Sequence, residues 1–222
     1  MKNVNGRKAG IALFVSLALA AGVLVLLSWL AEEVLEGDTQ RFDEQVRVLI
    51  NQHAAPQLTA AMRVITYFGS TIVISSLSVC GVVGLYLMKR RRAALLLLVT
   101  MAGALILNGV LKLSFHRARP APFFNLGAPA SYSFPSGHAL YSFCLFGTLA
   151  AIISRRVQST WTRTAVWAAA ALIVVLVGFS RIYLGVHYPS DVIEGYAAAF
   201  FWVMAVALAD RLFFNSSTGG KS

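Results

Sequence analysis

Three histidines, a group of basic residues and one carboxylate fall in three short segments whose side chains suit the handling of a phosphate. The segments are Lys112-Leu-Ser-Phe-His-Arg-Ala-Arg119-Pro120, Pro135-Ser136-Gly137-His138 and Ser180-Arg181-Ile-Tyr-Leu-Gly-Val-His187-Tyr-Pro-Ser-Asp191. Phosphoryl transfer without a metal needs fixed positive charge about the nonbridging oxygens, a nucleophile, and a proton donor for the departing oxygen. Lys112, Arg119 and Arg181 can supply the charge, and each arginine offers a planar fork to two oxygens at once. Ser136 and Gly137 open a helix, where unpaired backbone N–H groups and the positive dipole end favour an anion. Gly137 also lets the backbone come close.

Imidazole suits the attack, because its neutral nitrogen can form a phosphoramidate and its free pKa is near 6.5. His187 precedes Asp191 by four residues. If a helix starts near Tyr188, that carboxylate can hold one ring nitrogen and present the other to phosphorus. His138 has no such acid beside it and suits the other task, protonating the departing alkoxide. Taken singly, each residue has a plainer reading, as an interfacial anchor or a satisfied structural histidine. Their convergence in three segments favours chemistry.

These segments must be carried by elements of a membrane protein. Of the 222 residues, 58% are hydrophobic and 13% charged, far from the roughly half and quarter of soluble domains. Apolar runs at Gly10–Ala31, Thr71–Met88, Ala93–Leu113, Ala139–Ser154, Ala165–Phe179 and Val192–Ala209 predict six spanning helices. Several are shorter than the ~20 residues that cross the hydrocarbon core, so their ends should reach into polar flanks. The first run is too long for a signal-peptide core and should remain as an anchor. Between the first two spans, Phe42, Val46, Leu49 and Ile50 recur at helical spacing, with Asp43, Glu44, Arg47 and Asn51 elsewhere on the wheel. That pattern predicts an amphipathic interfacial helix, broken from a second one by Pro56. The fold class is therefore all-α, a polytopic membrane protein with interfacial helices between spans one and two. A single domain, 1–222, is expected, with its motif core at 112–191.

Six spans put both termini on one side, which then holds 12 of the 19 Lys and Arg. An excess of this kind marks the cytoplasmic side. The three segments lie on the other side, periplasmic if the membrane is a bacterial inner membrane. There Lys112, Arg117, Arg119 and Arg181 run against the charge bias and need a reason of their own.

In order, spacing and flanking spans, the three segments resemble the motifs of the type-2 phosphatidic acid phosphatase superfamily, which includes bacterial phosphatidylglycerophosphate and undecaprenyl diphosphate phosphatases. The resemblance covers about 80 residues, Lys112 to Asp191, and the six-span layout extends it. It implies His187 as nucleophile, Asp191 as its orienting partner and His138 as general acid. It implies Lys112, Arg119, Arg181, Ser136 and Gly137 as phosphate ligands, a metal-independent reaction and no organic cofactor. The expected substrate is a lipid monophosphate or diphosphate, with phosphatidic acid, phosphatidylglycerophosphate, undecaprenyl diphosphate and lipid A phosphate all fitting the clamp.

Other features are set aside. The net charge of +10 sits in short groups at span ends, so nucleic-acid binding is not expected. No obligate protein partner is evident. Cys80 and Cys144 lie in apolar runs with no metal-ligand spacing, and neither a disulfide nor a zinc site is expected. His53 and His116 read as surface residues. Glu194 reads as a helix-start carboxylate, and Glu32, Glu33, Glu36 and Asp38 as a solvated loop. Two other functions remain open: a phosphotransferase passing the group from His187 to a second lipid, and a non-catalytic transporter or scaffold. The latter predicts ionisable residues at mid-bilayer depth, whereas here they gather at span ends.

Overall fold

The computed structural model describes residues 38–124, 126–127 and 130–215. Seven helices follow one another in these residues: α1 (Asp38–Gln52), α2 (Pro56–Tyr67), α3 (Thr71–Leu87), α4 (Arg91–Phe115), α5 (Gly137–Ser154), α6 (Thr160–Tyr183) and α7 (Pro189–Asn215). No strand occurs among the described residues.

Four helices are long and apolar enough to cross a membrane: α4, α5, α6 and α7. The 17-residue α3 meets that standard only together with α2, to which it is joined at a 42° bend. The six-span expectation therefore stands at four helices, or five with the bent pair. The predicted span at Gly10–Ala31 and, of the predicted acidic loop, Glu32, Glu33 and Glu36 lie outside the described residues, whereas Asp38 of that loop instead begins α1. Whether α1 and α2 rest on a membrane surface is a matter of proposal.

Local sequence accounts for the helix ends. Pro56 starts α2, where its missing N–H costs nothing. The Ser70 hydroxyl caps α3 by accepting from the Val73 N–H at 3.3 Å. The turn after α3 places Lys89 at φ 59°, and the end of α4 places His116 at φ 46°. Left-handed backbone of this kind costs a non-glycine residue about 1–2 kcal/mol.

Helix α5 is the central post, packed against α3, α4, α6 and α7. Leu140, Cys144 and Leu145 of α5 join Leu97, Ala104 and Leu111 of α4 and Ala198 and Ala199 of α7 in one buried core. Small residues along these seams let backbones approach, as membrane helices require in the absence of a hydrophobic drive between them. Two of the buried hydroxyls are satisfied within their own helices, Ser78 donating to the Ile74 carbonyl and Thr100 to that of Leu96. Large apolar side chains such as Ile72, Leu87, Ile106 and Leu113 point outward, which suits a rim bathed in hydrocarbon rather than water. Both cysteines are free, Cys80 on the outside and Cys144 inside.

Helix α1 exists where the periodicity placed it, but it is rolled the other way from a helix that buries its apolar stripe. Phe42 and Leu49 are 48% and 57% exposed, while Asp43 is fully buried and Arg47 nearly so. The reason is that the polar stripe has partners inside, described below, and a buried polar group must be paired. The α1–α2 hairpin is held on the end of α6 by a second cluster of Met62, Tyr183, Leu184 and Val186. The Tyr183 hydroxyl adds bonds at the hairpin's break, accepting from the Ala55 N–H at 3.3 Å and meeting Thr59 Oγ1 at 2.9 Å.

Gly103 marks the closest seam: a Cβ there would stand 1.9 Å from the Trp202 ring, which is itself tied to the Thr100 carbonyl through its indole N–H. Gly109, on the same helix, has no heavy atom within 4 Å of such a Cβ. We expect Gly103→Val to lower stability by about 1–3 kcal/mol through overpacking. Gly109→Ala should be neutral or raise stability slightly through helix propensity. Thermal unfolding in detergent measures both, and equal midpoints for the two variants would contradict the seam.

Candidate active site

The three segments meet at one end of the bundle because α4 ends there while α5 and α7 begin there, with α6 ending beside them. Lys112 lies in the last turn of α4 and donates to the Tyr132 carbonyl. Arg119, in the loop beyond, is braced by the next loop: its Nε donates to the Ser131 carbonyl at 2.6 Å and its Nη2 to Ser131 Oγ at 3.0 Å. Its Nη1 donates to the Val186 carbonyl at 2.8 Å and to His187 Nε2 at 2.9 Å.

That last contact decides the state of His187. A guanidinium can only donate, so Nε2 must carry its lone pair and the ring proton must sit on Nδ1. Nδ1 faces Asp191 Oδ2 at 3.3 Å, as the four-residue spacing predicts. The imidazole is buried. Burial pushes its pKa down to about 4, with Arg119 and Arg181 assisting and the Asp191 carboxylate opposing. At neutral pH the ring is therefore uncharged, with the Nε2 lone pair turned to the cationic cluster.

Asp191 is held from every side. Besides His187, its carboxylate accepts from the Tyr188 N–H at 2.9 Å, from the Ser133 hydroxyl, and from Arg117 Nη1 at 2.7 Å. Its own carbonyl accepts from the Ser136 N–H at 2.9 Å, which ties the start of α5 to the start of α7. Gly195 is needed for this approach, since a Cβ there would stand 2.8 Å from the Ser136 carbonyl.

The other predicted residues surround this pair. Ser136 is the residue before α5, yet its hydroxyl does not cap the helix and is buried without a hydrogen-bond partner among the described residues. Gly137 opens α5 beside Asn108 and Tyr141, which bond to each other at 2.8 Å. His138, in the first turn of α5, packs against Gly69 at the bend between α2 and α3. It stands within electrostatic reach of Arg181, His187, Arg119 and Lys112. Arg181, near the end of α6, donates from Nη1 to Thr66 Oγ1 at 2.7 Å, while its buried Nε has no partner among the described residues. Buried donors left open in a cationic cleft are what the oxygens of an anion would satisfy.

Sequence reasoning missed the residues that hold Asp191 from behind. Arg117, one of the four basics that ran against the charge bias, bridges two carboxylates: Nη1 reaches Asp191 and Nη2 reaches Asp43 Oδ2, each at 2.7 Å. Burial opposes the charge on Arg117, but Asp191 and Asp43 outweigh it and its pKa is raised. Asp43, from the inward face of α1, also accepts from the Ser190 N–H at 2.9 Å and the Ser190 hydroxyl at 2.5 Å. Its neighbour one turn on, Arg47, donates to the Ala121 carbonyl at 2.8 Å. An acid 74 positions from its arginine partner leaves no local signal; only the i, i+4 placing of Asp43 and Arg47 on one face hinted at a shared task. His53 and His116 are exposed, as expected. Glu194, read from the sequence as a helix-start carboxylate, lies in the early turns of α7 and is buried, with one carboxylate oxygen unpartnered among the described residues.

Helices able to cross a membrane, ending in a cleft of lysine, arginine and imidazole, define a membrane enzyme of phosphoric ester chemistry. Residues 93–213 match the PAP2 superfamily, and the chain belongs to that family. It is 33% identical over 172 residues to phosphatidylglycerophosphatase B of Bacillus subtilis (strain 168), spanning 76% of this chain and 83% of that one. It is 29% identical over 161 residues to an undecaprenyl-diphosphatase of Sulfolobus acidocaldarius, spanning 70% and 72%. In three dimensions it resembles the crystal structure of a transmembrane PAP2 type phosphatidylglycerolphosphate phosphatase from Bacillus subtilis, with a TM-score of 0.77 and 27% identity over 91% of this chain and 98% of that one. Aquifex aeolicus LpxE is more distant, at a TM-score of 0.56 and 25% identity over 76% and 94%. The chain is accordingly a phosphoric ester hydrolase of the lipid phosphatase class.

The bridge through Arg117 makes Asp43 a positioning residue with a kinetic signature. Asp43→Asn keeps the shape of the side chain but frees Arg117 to pull on Asp191. We expect kcat to fall by up to about 100-fold, as small misplacements of reacting groups do, with a much smaller change in KM. Steady-state kinetics on a lipid phosphate would read this, and an unchanged kcat would show the bridge to be idle.

Proposed function

We propose that this chain hydrolyses a phosphomonoester or diphosphate of a membrane lipid through a phosphohistidine on His187, without a metal. The observation that carries the reading is the pair of contacts on His187: Nδ1–H donates to the Asp191 carboxylate, and Arg119 donates to the Nε2 lone pair. A buried, neutral imidazole held in this way is a nucleophile oriented before substrate arrives.

The proposed steps use the residues already placed around the cleft. Arg119 moves its Nη1 from Nε2 to a nonbridging oxygen, joined by Lys112, Arg181, the Ser136 hydroxyl and the N–H groups at the start of α5. The open Arg181 Nε and Ser136 Oγ then gain partners. The Nε2 lone pair attacks phosphorus while the bond to the leaving oxygen breaks, and His138 gives that oxygen a proton. The leaving group is a lipid alcohol, or a lipid phosphate when the substrate is a diphosphate. His187, now cationic, is stabilised by Asp191, whose own charge is steadied by Arg117. Water then gives a proton to His138 and attacks phosphorus, the P–N bond breaks, and inorganic phosphate leaves with the Nε2 lone pair restored. Charge stabilisation here rests on fixed cations, the largest single lever for such a transition state. Among the described residues no three His, Cys, Asp or Glu side chains gather as a metal would require.

The substrate reading rests on the relatives together with the place of the cleft, at the end of a bundle with apolar flanks. Phosphatidylglycerophosphate and undecaprenyl diphosphate are the leading candidates, since relatives are named for acting on them. The membrane is that of a bacterial cell, with both termini cytoplasmic and the cleft on the outer face of the inner membrane. The basic turns at 89–92 and 155–156 support this orientation, because they lie at the end opposite the cleft.

Purified full chain, given these lipids with chelator present, should release inorganic phosphate, and an acid-labile, base-stable phosphoryl group should be trapped on the protein by rapid quench. His187→Ala should lose both, with turnover reduced by at least about 10⁴-fold. Full turnover by that variant would refute the nucleophile, loss of activity in chelator the metal independence, and labelled lipid without free phosphate the hydrolysis. For orientation, a cysteine introduced at exposed Ser131 should react with a membrane-impermeant maleimide on intact spheroplasts. One introduced at Arg156 should react only after lysis, and the reverse pattern would invert the topology.

A further inference from the structure

At the end of the bundle opposite the cleft is a second cationic concavity, with a volume of about 810 Å³. The helices fix its distance: α4 begins there with Arg91 and ends 25 residues later beside the cleft, a rise of about 36 Å. Four cations come from the turn between α3 and α4, residues 89–92. Arg155 and Arg156 follow the end of α5, and Arg211 projects from α7. Asp210 is the one carboxylate in the lining. It is already engaged by Arg92, through Nε at 2.8 Å and Nη2 at 2.9 Å, with Arg155 farther off at 3.9 Å. Seven cationic side chains thus surround one carboxylate.

Two features go beyond what a topological charge bias needs. The N-terminus of α4 opens into the same space, and the residue before it, Arg90, gives no side-chain cap. The N–H groups of Arg91 and Ala93 therefore stand as donors among the cations. Lys89 is held at φ 59° in a left-handed turn, closed by the Arg90 N–H donating to the Leu85 carbonyl at 2.8 Å. That is the position at which helices usually place glycine. A lysine there accepts backbone strain where a glycine would not, and it adds its charge to the cavity. The floor is apolar, formed by Ala93, Leu96 and Ile152, so a ligand with a glycerol or acyl portion has something to rest on.

We propose that this concavity is a second anion site, which takes a phosphate-bearing group without turning it over, and that its occupant is the headgroup of an anionic phospholipid. Among the described residues no histidine, cysteine, serine or threonine lines it, and its carboxylate, Asp210, is held by Arg92, which separates it from the cleft that His187 serves. The shared chemistry is a phosphate held by guanidinium forks and the α4 N–H groups. The apolar floor and the depth of the helix ends favour a lipid over a soluble phosphate.

The test uses the full chain in detergent, with native mass spectrometry to count bound lipid and thermal shift to detect inorganic phosphate. Wild type is compared with R90Q/R156Q and with Lys89→Gly. Wild type should retain phosphatidylglycerol well above phosphatidylcholine. Each charge removed should weaken that retention about fivefold, so by about 25-fold in the double variant. Lys89→Gly relieves the turn while deleting a cation, so weaker retention at an unchanged or higher melting temperature cannot be attributed to unfolding. If only the phosphate-induced shift falls in the variants, the anion site stands and its occupant is soluble. Equal lipid retention and equal phosphate shift in all three proteins would overturn the proposal and leave these cations to topology alone.

Discussion

The Asp191 carboxylate is the point on which the rest of this structure depends. It is fully buried, and a lone buried charge would cost several kcal/mol. The protein offsets that cost by surrounding it with a guanidinium, a hydroxyl, a backbone N–H and an imidazole N–H. These partners come from three separate stretches of chain, so satisfying one charge draws the loops after α4, before α5 and before α7 to one place. The same bonds set the tautomer of His187. Stability and chemistry at this end of the bundle are thus one problem with one solution.

Arginine does two distinct jobs around this carboxylate. Arg117 neutralises, bridging Asp191 to Asp43 and fixing α1 to the site. Arg119 presents, its fork held by loop carbonyls so that one N–H reaches His187 Nε2. A lysine could not serve in either place, because a single ammonium cannot span two fixed acceptors in a plane. Burial lowers the pKa of Arg119, against the pull of Asp191; a bound phosphate would bring the anion that this arginine lacks. Membership of the PAP2 superfamily fits a clamp of this kind, built on fixed positive charge.

The bundle itself obeys the logic of a lipid solvent. Its seams are close, with Gly103 under Trp202 and Gly178 under Tyr196, and its large apolar side chains face outward. The α1 helix illustrates the consequence. Apolar periodicity predicted an amphipathic helix, and the structure turns its polar residues Asp43 and Arg47 inward against the protein and leaves Phe42 and Leu49 outside. The inward roll lets the polar groups find partners within.

What the sequence by itself determined is local: the long apolar runs that become α4 to α7, the break at Pro56, the i, i+4 relation of His187 to Asp191, and the three motif segments with their basic residues. These depend on composition, period and spacing, which a linear chain displays. What only the tertiary structure decided is which distant groups share a charge. The pairing of Asp43 with Arg117, the bond from the Ser136 N–H to the Asp191 carbonyl, the burial of Glu194 and the gathering of three helix ends about a second cationic cavity join residues tens to more than a hundred positions apart. Such pairs follow from how helices pack and from the need to satisfy every buried charge. That need becomes visible only when the chain has closed around them.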